Sequence, residues 1–139
     1  MGILGEEAHM GFAIDFDPKN NILRGTLEGP LTDTILLDSY GAAARYTALH
    51  PPCRGIWDFS DVTEFEVSNA AIKQAAVKRP IIASGYMRVI VAPQAFLFGM
   101  MRMLQLLSEE ARLEWFVVRT MDEAYSCLLV DAPDFTPVG

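Results

Sequence analysis

"WDFSDVTEFEVSNAAIKQ", residues 57–74, decides the fold. Its opening residues complete a short, nearly continuous apolar run that starts at Cys53, the pattern of a strand covered on both faces. The strand is expected to end at Asp58-Phe59-Ser60, with a loop after it. Ser68 then opens a helix that Pro80 stops. Strand, loop and helix in that order make one β-α unit, and the alternation continues in both directions along the chain.

Upstream, "GFAIDF" (11–16) and "NILRGTLEG" (21–29) alternate apolar and polar residues around "DPKNN", which reads as a β-hairpin. Gly29-Pro30 is expected to close the second strand. A helix follows over 31–49, with Thr32 or Asp33 as N-cap, small residues from Gly41 to Ala44, and a stop at His50-Pro51-Pro52. Downstream, "YMRVIVA" (86–92) is a buried strand and Pro93 suits the first turn of a helix over 94–112. "EWFVVRT" (114–120) is the last strand. Thr120 and Glu123 then have capping-box spacing before a final helix. The expected order is β-β-α-β-α-β-α-β-α. It makes a single α/β domain over 11–130, with a mixed five-stranded sheet flanked by helices, a flexible N-terminus over 1–10 and a loose tail over 131–139.

The 139 residues are 51% hydrophobic with a net charge of −7, which suits one globular core without a disulfide or metal staple. The acidic balance argues against nucleic acid and against simple attachment to anionic lipid. Cys53 and Cys127 are too few and too far apart for a zinc knuckle or redox pair, so a reducing, cytoplasmic setting is expected. The longest uncharged apolar stretch, 89–101, is split by Pro93 and falls short of the roughly 20 residues that cross a bilayer.

Chemistry-bearing patterns are sparse. Asp15-Phe16-Asp17 has DxD spacing, but Pro18 and Lys19 follow it and the hairpin turn is the simpler reading. His9 and His50 are the only histidines, one near the terminus and one at a helix end beside two prolines. No phosphate-binding loop, dinucleotide fingerprint or nucleophile elbow occurs. No catalytic residue, metal ligand or cofactor is therefore assigned.

With the order of elements set, residues 53–79 resemble the STAS domains of anti-sigma-factor antagonists. In those domains a strand ends in Asp-x-Ser, and a serine before the next helix is phosphorylated by a partner kinase. Asp58-Phe59-Ser60 and Ser68 stand at the matching places, with Val67 and Asn69-Ala70 replacing the usual neighbours of that serine. Ala92-Pro93, Phe98-Gly99-Met100-Met101-Arg102-Met103 and Asp122-Glu123-Ala124 make the chain more similar to the bacterial SpoIIAA-like set, over about residues 11–130. The resemblance implies a STAS-type α/β fold and a binding or regulatory role without catalysis. It also implies Ser68 as a regulatory position and the Asp58–Ser60 loop as the place where a ligand or partner group gathers. The fold of the set is also likened to lipid-transfer domains, which implies the alternative of a carrier or sensor for a small apolar ligand or lipid.

Two features remain open at this level. Ser68 reads as a helix N-cap, as a phosphorylation site, or as both. A phosphate there would suit the helix dipole, whereas Glu64 and Glu66 would oppose it. In the helix from Gln94, a turn of about 100° per residue puts Phe96, Met100, Met103, Leu104, Leu107 and Ala111 on the core face. Gln94, Arg102, Gln105, Glu109 and Arg112 lie opposite. Phe98 and Met101 fall among these polar residues and are expected to form an exposed apolar patch, with Phe96 and Met100 inward beside it. A partner protein, a second copy in a homodimer, or a lipid are the candidate occupants. An enzyme of unknown type is the weakest of the readings.

Overall fold

The computed structural model describes residues 11–77, 81–83, 85–107 and 115–138. Its elements are β1 (Phe12–Asp17), β2 (Ile22–Thr32), α1 (Asp33–Ala48), β3 (Arg54–Glu66) and α2 (Asn69–Val77). They continue with β4 (Arg88–Val91), α3 (Ala95–Leu107), β5 (Trp115–Val118), α4 (Met121–Leu128) and β6 (Thr136–Pro137). The chain is α/β, and the sheet order is β5-β4-β3-β2-β1-β6. Strands β2 to β5 are parallel, while β1 is antiparallel to both β2 and β6. The expectation of five strands is thus corrected to six. The extra strand comes from the tail read as loose, because Thr136 and Pro137 pair with Phe16 and Asp15 at the open edge of β1. Residues 1–10, expected to be flexible, lie outside the described residues.

The sheet steps in one direction from β2 to β5, so crossovers of one hand put α1, α2 and α3 on the same face. On that side Phe12, Ile14, Leu23, Leu27, Leu31, Phe59 and Ile90 of the sheet cluster with Leu97 of α3. The opposite face packs Ile22, Ile56, Val89 and Val91 under Ala124 and Leu128 of α4. Gly25 sits opposite Trp57 in the ladder, and a Cβ there would fall on the indole ring. Its missing side chain is what admits Trp57 beneath α1.

Caps fix the helix starts. Thr32 Oγ1 accepts from Ile35 N–H at 3.3 Å, and the Thr120–Glu123 capping box is present in both halves. The hairpin turn is held by Asp17, whose carboxylate accepts from the backbone N–H groups of Lys19 and Asn20 and from Asn20 Nδ2. Asp17 also accepts from Asp134 N–H, and Arg24 lies 3.9 Å from the Phe135 ring centre, so the tail is pinned twice. Among the described residues no helix is long and apolar enough to cross a membrane.

One boundary differs in a way that matters for the site. β3 does not stop at Ser60 but runs to Glu66, and β2 runs past Pro30 to Thr32. The two strands pair beyond the point where β4 has ended, at Asp58 opposite Val91. A register shift between Gly29 and Pro30 accommodates the proline, which has no N–H to give a regular ladder.

Candidate functional site

Ser68 ends the turn between β3 and α2. Its Oγ accepts from Ala71 N–H at 3.1 Å, the N-cap bond of α2. The same hydroxyl donates to Asp33 Oδ2 at 2.7 Å, and Ser68 N–H donates to Asp33 Oδ1 at 2.7 Å. Asp33 is the first residue of α1, so this exposed pair ties the starts of two helices together. The backbone bond from Ser68, then its hydroxyl bond, hold the Asp33 carboxyl below its ordinary value. The sequence named Ser68 but missed Asp33, because 35 residues separate the partners and nothing local signals the pairing. The Glu66 pKa is raised by its hydrogen bond to Glu64 and by that residue's charge. A phosphate on Ser68 would add negative charge beside Asp33, close in sequence to this acidic pair.

Asp58 and Ser60 are brought together with each other but not with Ser68. The register shift between Thr26 and Glu28 sets Phe59 and Ser60 against Leu27 alone, a bulge. Buried Asp58 supports it by accepting from Ser60 N–H at 2.9 Å. The expected ligand loop is therefore a bulge inside a strand. Beyond it, where β4 no longer pairs, Gln94 Nε2 donates to Phe59 O at 2.8 Å and Val62 O at 2.9 Å. This clasp fixes the start of α3.

The rotation of α3 departs from the expected faces at Phe96, Met103 and Gln105, while Met100 stays inward and Arg102 outward. Leu97 and Gln105 are buried, and Phe98, Met100 and Met101 are half-buried against the core. Phe98 is covered by Arg119, whose guanidinium lies 4.0 Å from the ring centre. Solvent instead meets Phe96 at 65% exposure, Met103 at 56% and Leu106 at 58%. The patch expected at Phe98 and Met101 is thus replaced by a stripe on which Met103 and Leu106 join Phe96. Spacings of seven and three residues keep these three on one side of the helix. Phe96 also meets Phe65 of β3 edge-on, with ring centres 5.7 Å apart. The error has a physical source. Gln105 counts as outward by polarity, yet its Nε2 donates to Trp115 O while its Oε1 accepts from Arg102. Ala111 of the expected core face lies outside the described residues.

An open cleft of about 530 Å³ runs between Phe98 of α3, the end of β5 and the outer side of α4. Its lining mixes Val117 and Cys127 with Arg119, Asp122 and Glu123. Among the described residues no three His, Cys, Asp or Glu side chains stand together as metal ligands. The sequence matches no protein-family profile and no curated protein.

Proposed function

We propose that this protein is a binding module of STAS-like type, which works by engaging a protein surface through the outer side of α3. The observation that carries this reading is the stripe of Phe96, Met103 and Leu106, three large apolar side chains more than half exposed on one side of one helix. Covering the exposed parts of three such side chains would contribute roughly 3–6 kcal/mol, at the low end of the cost of association. The half-buried Phe65 and Met100 would have to extend the contact, and binding would be weak and reversible. The element order and the serine-capped helix after β3 support the STAS-like part of the reading. The Asp33 contact supports Ser68 as a structural tie between helices more than as a phosphate acceptor.

A photo-crosslinking residue placed at Met103, with another at exposed Thr63 as control, tests this in the host cell. The expected result is a discrete adduct from position 103 that disappears when Phe96→Ser is added. Adducts no different from the control would reject the reading. Phe96→Ser should stay within about 0.5 kcal/mol of the parent in stability, as surface changes do. Leu97→Ala, one residue on and buried, should cost about 2–5 kcal/mol.

A further inference from the structure

Arg88 and Trp115, the first residues of β4 and β5, stand in register beside Gly55 of β3. Trp115 packs into the core beneath α1 and α3, together with Ile90, two residues along β4 from Arg88. The Arg88 guanidinium lies 5.9 Å from the Trp115 ring centre. Tyr40 approaches from α1. Burial raises its pKa, and the charge of Arg88 opposes that rise. Trp57 stands behind it, with ring centres 6.0 Å apart.

Arg88 Nε and Trp115 Nε1 are both sealed from water, and no described residue accepts a hydrogen bond from either. A guanidinium carries five N–H donors and no acceptor, so a buried one calls for an acceptor nearby. Among the described residues of this acidic chain, the one ion pair joins Arg24 and Asp15, on the other side of the sheet. Buried donors without acceptors are rare in folded proteins, and two side by side ask for a reason. Arg88 as a whole residue is half-buried. Trp115 is also held in place, because Gln105 clasps its carbonyl.

We propose that Arg88 and Trp115 bind the carboxylate of a small apolar molecule. Nε–H and a terminal N–H of a guanidinium form a fork that matches two coplanar oxygens, and the indole N–H adds a third donor. The rings of Tyr40, Trp57 and Trp115 suit an aromatic or aliphatic body. A phosphate would bring more oxygens than these donors satisfy and leave some facing rings. The site shares no residue with the α3 stripe, so either reading can fail alone.

The test uses the full chain, with benzoate and octanoate as probes and inorganic phosphate and chloride for comparison. Nitrogen–proton NMR follows the Trp115 indole signal, assigned with Trp57→Phe, and thermal melts run in parallel. Both carboxylates should shift the Trp115 signal saturably and raise Tm. Arg88→Met keeps most of the stem and removes the charge. Without ligand it should melt above wild type, because an uncompensated cation is gone, and its benzoate affinity should fall roughly tenfold or more. Trp115→Phe keeps a ring and loses one donor. It should weaken benzoate binding several-fold, and it serves as the variant should Arg88→Met fail to fold. A lower Tm for folded Arg88→Met, together with no carboxylate response, would mean that the chain itself pairs Arg88 and would overturn the proposal. So would saturation by phosphate with neither carboxylate acting, or no saturable shift from any probe at tens of millimolar.

Discussion

Replacing Ser68 by alanine removes two bonds at one atom. The Oγ accepts from Ala71 N–H and donates to Asp33, and both are lost, while Ser68 N–H keeps its own bond to Asp33. Loss of an N-cap costs about 0.5–2 kcal/mol, and the second bond puts Ser68→Ala in the upper half of that range. For a chain of this length the fall in Tm is about 3–8 °C. Urea melts at neutral and acid pH measure it. The folded-state pKa of Asp33 is depressed, so its contribution is complete above the ordinary value of 3.8 and fades as pH falls through the folded value below that. The cost of Ser68→Ala should therefore be largest near neutrality and shrink under acid. Ser68→Glu should cost more than alanine, since it faces Asp33 with a second carboxylate. A Ser68→Ala chain within about 0.3 kcal/mol of wild type, beneath the range for a lost cap, would refute this account. So would a Ser68→Glu chain as stable as wild type, which would return weight to phosphorylation.

Asp17→Ala should release the tail, read as faster hydrogen exchange at Val138 N–H, which donates to Ile14 O, with β2–β3 amides unchanged. Burial of Asp17 works to raise its pKa, but the bonds from Asn20, Asp134 and Lys19 outweigh it and leave it lowered. In wild type, the same release should therefore appear only as pH falls below the ordinary 3.8, and unchanged Val138 protection in the variant would count against the pin. Gly25→Ala should cost about 1–3 kcal/mol in a denaturant melt, because its Cβ falls on the Trp57 ring. Gly99→Ala meets open space in a helix and should gain up to about 1 kcal/mol, and equal effects at the two glycines would contradict the packing.

Where a local rule has a single outcome, the sequence was readable. Thr120 with Glu123 made its capping box, Thr32 and Ser68 capped helices, and Pro18 with Asn20 and Asn21 made the hairpin turn. The reading faltered where pairing partners are distant. Nothing local in Asp61–Glu66 distinguishes a loop from a strand, and its extension depends on β2 running alongside. β6 is two residues long and depends on β1 and on Asp17, more than 100 positions earlier. A resemblance that placed Asp58 and Ser60 in a loop could not foresee a bulge, since a bulge is a relation between two strands.

The rotation of α3 turns on two glutamines. Counting polar residues as outward is sound for a helix with one polar side, but α3 is apolar almost all round, so a few polar positions fix the choice. Both glutamines face carbonyls that the sheet leaves unpaired. Phe59 O and Val62 O lie past the end of β4 pairing, and Gln94 reaches them. Val118 O accepts from Ala92 N–H next to β4, so by alternation Trp115 O points the other way, to the sheet edge, where Gln105 meets it. A neutral amide can satisfy a buried carbonyl without the desolvation cost of a charge, and for that reason glutamine rather than lysine or glutamate can hold such a place. Turning α3 to hide Phe96, Met103 and Leu106 would break both clasps and leave three carbonyls unpaired. The apolar stripe is exposed because the backbone needs of the sheet outrank it.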